Sequence, residues 1–299
     1  MKKALILGIL GSFFFAFTFL LNRNMNLTGG SWIWSTSLRY LFTFPILAFI
    51  IWRTSGFSHI HTIIKKNPFR WLLWSTVGFG FFYVPITYAG VYSEAWLIAA
   101  SWQVTIVMGV LLTPLFKHRI PIKNLLMSGI ILIGVFLLQA QNIIHMELHT
   151  TFWTLIPILV AATCYPLGNR KMMALAGDQI TTTERIYGMT LCSLPFWLLL
   201  STYGFITIGS PSASQSFQAF CVSIFAGIIA TLLFFKATDL VKSDPKKLAV
   251  IESTQSGEVI FTLIGGTLLL GDSLPDTVGM IGILLILLGM ILSSLLSGK

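Results

Sequence analysis

Ten apolar runs separated by short polar connections restrict what this chain can fold into. They are Ala4 to Asn22, Trp32 to Trp52, Phe69 to Ala89, Ala95 to Phe116, Ile122 to Gln141, Phe152 to Gly168, Ile186 to Tyr203, Phe217 to Thr238, Leu248 to Leu270 and Thr277 to Leu296. A hydrocarbon core about 30 Å thick is spanned by about 17 to 25 helical residues, and every run has that length. Of 299 residues, 55% are hydrophobic and 10% charged, well outside the range of a soluble domain. The expected fold class is an all-α polytopic membrane protein with ten transmembrane helices and no soluble domain.

Of the 19 Lys and Arg residues, all but Arg23 and Arg39 fall on one side if the N-terminus is cytoplasmic. The positive-inside rule then puts both termini in the cytoplasm of a multi-pass cell-membrane protein. The net charge of +9 is spread between apolar runs, so it sets topology and implies no nucleic acid partner. Cys164, Cys192 and Cys221 lie inside apolar runs without paired spacing, which suggests neither a disulfide framework nor a metal site. The start imitates a signal peptide through Lys2 and Lys3. Its apolar run is long and lacks a small-x-small cleavage site, so it is expected to stay as the first helix. His59 and His61 form an HxH pair without a third ligand nearby and read as part of an interfacial connector, Phe57 to Asn67.

The two halves echo each other. Asn22-Arg23 near the end of helix 1 parallels Asn169-Arg170 at the end of helix 6. Pro121 after helix 4 parallels Pro275 after helix 9, each followed by a glycine-bearing closing helix. A five-helix unit repeated once puts the second copy upside down, so two inverted five-helix repeats are expected, residues 1–146 and 147–299. Secondary transporters use this architecture, with the solute site near midplane between the copies.

The stretch from Lys246 to Asp272 carries Glu252, Gln255, Ser256 and Glu258 in the first half of an otherwise apolar span. An ionisable group at membrane depth costs about 2.5 to 3.5 kcal/mol on insertion scales, so it should face protein or a watery cavity. At about 100° per residue Gln255 falls between the two glutamates, giving one polar wall. Glu252, close to Lys246 and Lys247, equally suits a solvated first turn; Glu258 lies about ten residues in, near midplane at about 1.5 Å per residue.

With these residues in view, the chain resembles the drug/metabolite transporter superfamily, in its ten-helix EamA-type branch. The Arg39-Tyr40 pair within helix 2 and Gly271-Asp272 after helix 9 carry that likeness. Phe13 to Phe15, Asn22-Arg23 and Gly30 to Trp34 are similar to the group of multidrug resistance efflux transporters. The resemblance implies transport, and it makes helices 3, 4, 8 and 9 the cavity walls, with Tyr83, Tyr88, Trp102 and Gln103 as candidates. Two departures stand out. Helix 1 lacks the acidic residue through which the four-helix exporters of the superfamily couple to protons, and Lys117-His118 replaces the Gly-Glu of the first repeat.

Arg39, with Ser35 and Thr43 on its face, keeps its charge in the membrane and needs a partner. Glu94 opens helix 4 on the outer side, and an Arg39–Glu94 approach, as gate or structural tie, is expected. Aromatic residues are dense in helices 1, 3 and 4 and would suit an amphipathic or cationic solute. The leading function is a secondary transporter exporting small metabolites or amphipathic, cationic drugs by alternating access. Glu258 binds proton or solute in this reading, because burial disfavours the charged form of a carboxyl group. Uptake of a sugar or amino acid, a non-transporting scaffold and an integral-membrane enzyme are the alternatives. HExxH, GxSxG and P-loop spacings are absent, so no enzyme, cofactor or metal is expected. The expected partners are a small solute, protons and the lipid bilayer.

Overall fold

In lipid every backbone amide must bond within the chain, and a helix meets that demand segment by segment. The computed structural model describes residues 1–117, 120, 122–144, 148–241, 247, 250–251 and 253–297, and these form helices and no strands. In order they are α1 (Lys2–Leu27), α2 (Trp32–Arg53), α3 (Ser58–Lys66), α4 (Pro68–Ala89), α5 (Ala95–Leu111), α6 (Ile122–Ile144), α7 (Leu148–Ala176), α8 (Thr182–Ile208), α9 (Ala213–Thr238), α10 (Gly257–Gly265) and α11 (Thr277–Ser297). Six of them, α1, α2, α4, α7, α8 and α9, are long and apolar enough to cross a membrane. Of the others on apolar runs, α5 and α10 are shorter and interrupted, whereas α6 and α11 are continuous helices of 23 and 21 residues. Glu252 lies outside the described residues.

Polar residues cap the helices where the apolar runs end. Ser31 accepts from the Ile33 amide, and Ser212 from the Gln215 amide. Thr181 and Glu184 form a reciprocal capping box at the start of α8. The short α3 lies where an interfacial connector was expected, with Ile60 and Ile63 buried and His59 and His61 bonded to Glu184 and Tyr187 of α8.

Close crossings hold the bundle together. A Cβ at Gly168 of α7 would collide with the Gly78 Cα of α4, so these helices meet at backbone distance. α6 and α11 cross in the same way at Gly134 and Gly282.

Four local irregularities occur in pairs, one in each half. Pro45 and Pro195 are each the fourteenth residue of their helices, α2 and α8. α4 and α9 each widen into a π-helical stretch, Thr76–Gly80 and Ser223–Ala230. α5 tightens at Gln103, whose amide bonds to the Ala100 carbonyl, and a 3₁₀ turn at Thr254–Ser256 opens α10. Lys117 and Gly271 close their runs in the left-handed region, at φ 63° and 71°, each four residues before a proline.

Candidate functional site

α1, α2, α4, α5, α7, α8, α9 and the start of α10 enclose a cavity of about 280 Å³. Its polar lining comes from the interrupted stretches just described: Gln103 at the tightening of α5, Gln255 in the 3₁₀ turn, and Glu258 one residue into α10. A helix that departs from regular geometry redirects side chains and frees backbone groups, which is tolerated at membrane depth where it faces a cavity. Thr18, Thr43, Thr105, Asn169 and Thr190 add hydroxyl and amide groups.

Three charged residues line the space. Glu258 is 8% exposed, and no hydrogen bond or ion pair engages its carboxyl group among the described residues. Arg39 is half-buried, its guanidinium carbon 4.0 Å from the centre of the Tyr83 ring. Tyr83 is in turn fixed by a 2.8 Å hydrogen bond from Asn22 Nδ2, and the Arg39 carbonyl accepts from Thr43 and Ser223. Arg39 Nη1 is buried without a hydrogen-bond partner among the described residues. Arg185, from the first turn of α8, is the second cation. Tyr40 stacks on Trp197 with centroids 4.4 Å apart and 7° between planes, which stiffens the α2–α8 wall.

The cavity is closed at one end and approached from the other. Thr18, Phe19, Tyr40, Ile86 and Trp102 are buried, whereas Asn169, Arg185, Phe234 and Gln255, toward the α7–α8 connection, are half-exposed. Beyond the buried end lies a polar seal. Asp272 Oδ2 accepts from the Ala95 amide at 3.1 Å, Asp272 Oδ1 lies 3.7 Å from Arg23 Nε, and Trp96 Nε1 donates to the Ser273 carbonyl at 2.9 Å. Arg23 also donates to the Gly90 carbonyl at 3.2 Å, and Ser93 bonds to Thr154. Burial raises the Asp272 carboxyl above its ordinary value; the Ala95 amide and Arg23 pull the other way without cancelling the shift.

Arg39, Trp102, Gln103, Gln255 and Glu258 thus fall together on one cavity. Three expectations need correction. Glu94 does not pair with Arg39: it sits in the seal, where it accepts from Ser273 Oγ at 3.1 Å, and the partner of Arg39 is an aromatic face. Tyr88 is turned away from the cavity into a ring cluster with Trp32, Tyr92 and Trp153. Tyr83 is fully buried behind Arg39 and does not itself line the space. Tyr40 and Asn169 stand out in the sequence only through the Arg39-Tyr40 pair and the Asn-Arg echo, not as lining residues, and nothing in the sequence marks Tyr165 and Arg185 for the cavity.

Comparison with known proteins gives one family and two relatives. The family described as "Putative multidrug resistance efflux transporter" matches residues 2–299. "Uncharacterized protein YjlA" of Bacillus subtilis (strain 168) is 47% identical over 308 residues, covering 99% of this chain and 95% of that protein. The "Uncharacterized 42.1 kDa protein in intracellular alkaline protease 3'region" of Shouchella clausii is 46% identical over 277 residues, covering 89% of this chain and 73% of its own.

Proposed function

We propose that this chain, which belongs to the multidrug resistance efflux transporter family and is an integral membrane protein, moves a small solute across the cell membrane by alternating access. The observation that carries the reading is a cavity walled by helices of both halves, sealed at one end by the Arg23–Asp272 group and approached from the other, with Glu258 exposed to its interior. Such a shape is one of the two states that alternating access requires.

The paired irregularities support two inverted repeats, residues 1–146 and 147–299, and hence ten crossings with both termini cytoplasmic. Helix packing supports them too. α2 meets α8 and α6 meets α11 as matched elements, while the α4–α7 contact has its counterpart in the α9–α1 contact. In this orientation the seal is extracellular and the cavity faces the cytoplasm, where an exporter collects its solute. Glu258 is the proton or solute group; Arg39, Arg185, Tyr40 and Tyr165 are the other ionisable or charged residues described on the cavity wall. Efflux is the direction carried by the family.

Flux in proteoliposomes, with and without a pH gradient, tests this. Gradient-driven accumulation of a solute is expected. Turnover of a solute without translocation would instead make the chain an enzyme, and absence of both across a broad solute panel would make it a scaffold.

A further inference from the structure

The described charges on the cavity wall do not balance. Arg39 and Arg185 face one carboxyl group, Glu258, and no ion pair joins them among the described residues. Ionised or protonated, Glu258 leaves those groups with a net positive charge. On these described charges, a cation entering this low-dielectric space is repelled, and an anion is attracted.

Arg39 is also prepared for a particular kind of anion. Tyr83 covers one face of its guanidinium, its backbone carbonyl is tied by two hydroxyls, and its buried Nη1 has no acceptor among the described residues. A planar fork of donors held in this way matches the two parallel acceptors of a carboxylate. Also on the cavity wall, Phe82, Trp102 and Tyr165 form a triangle of rings, with centroids 4.8, 5.1 and 5.6 Å apart. A volume of about 280 Å³ lies just below the range of ordinary ligand sites, which run from about 300 Å³, and so suits a small solute.

We infer that the transported solute is a small organic monocarboxylate with an aromatic or apolar body, its carboxylate on Arg39 and its body against the Phe82–Trp102–Tyr165 wall. This rests on the transporter reading above and narrows its substrate class away from the cationic drugs suggested by aromatic density alone.

The test uses three probes of similar size on the purified full-length protein in detergent: phenylacetate, its methyl ester and phenethylamine, titrated by calorimetry. Phenylacetate is expected to bind at least about tenfold tighter than the other two. Arg39→Gln should weaken it roughly 10- to 150-fold, the range for a hydrogen bond to a charged group. If that variant does not fold, the acid-against-ester comparison on the unaltered protein decides. Equal or tighter binding of phenethylamine or the ester, or full retention of phenylacetate binding by a folded Arg39→Gln, would overturn the assignment. Counterflow in proteoliposomes separates the two readings: translocation of phenethylamine without phenylacetate keeps the transporter and removes the anion site. Tight phenylacetate binding without translocation keeps the site and removes the transporter.

Discussion

Replacing Asp272 by Asn and by Ala separates two ways in which the seal could be held. Coulomb's law at the 3.7 Å Arg23–Asp272 separation gives about 4.5 kcal/mol at an effective dielectric of about 20. That gross attraction does not survive as net stabilisation. The contact is too long for a hydrogen bond, Arg23 Nε has no hydrogen-bond partner among the described residues, and burial of the carboxyl, with repulsion from Glu94, works against the attraction. The Ala95 amide, by contrast, is fully buried at the start of α5, and Asp272 is its acceptor; Glu94, at the N-cap itself, makes no capping bond. Asn keeps an acceptor oxygen in place and should cost within about 1 kcal/mol. Ala leaves a buried N–H unmet, a loss of about 1–3 kcal/mol.

The same carboxyl fixes the sign of a pH effect. A raised folded-state value means stabilisation fully present below the ordinary carboxyl range, near pH 3.9, and lost as pH rises through the raised value. Wild type should therefore gain stability relative to Asp272→Asn as pH falls from neutrality. Unfolding in mixed micelles, followed by circular dichroism at several pH values, measures both effects. Equal destabilisation by Asn and Ala would show that charge, and not the bond to α5, holds the seal, and would refute the reasoning.

Other outcomes follow from separate parts of the structure. Gly168→Ala must push α4 and α7 apart and should destabilise by about 1–3 kcal/mol in the same unfolding assay, whereas Ala at Gly129, a helical glycine of α6 where a Cβ meets nothing, should not create a clash. Cysteine at Thr28 should react with an impermeant thiol reagent in intact cells, and cysteine at Lys66 only after permeabilisation, if both termini are cytoplasmic. Tyr83→Phe removes the acceptor of the Asn22 bond and should cost about 1–3 kcal/mol in stability, while the ring beneath Arg39 and the solute affinity are preserved.

Much of this was legible because lipid leaves few options. Apolar run lengths located the helices, and the cost of burying Glu258 marked it as cavity-facing before any coordinates. What failed was the choice of partner. Arg39 and Glu94 share a side of the membrane in the sequence reading, but which face each presents depends on how α2, α4 and α5 pack, and periodicity within one helix does not report that. Arg185 was counted among the topology-setting cations; the capping box that starts α8 upstream of it carries its side chain onto the cavity wall. Tyr88 and Tyr83 are five residues apart on one helix, about 140° around its axis at about 100° per residue, so they end in different surroundings. The Gly-Glu departure at Lys117-His118 hid a shared feature, the left-handed backbone at Lys117 and Gly271, because a lysine does not advertise it.

The most direct measurement is transport by Glu258→Gln in proteoliposomes, read both as accumulation driven by a pH gradient and as solute counterflow without one. The variant should lose accumulation while exchange of solute continues through an intact cavity. Undiminished pH-driven accumulation would contradict the account, because the buried carboxyl on α10 would then have no part in coupling.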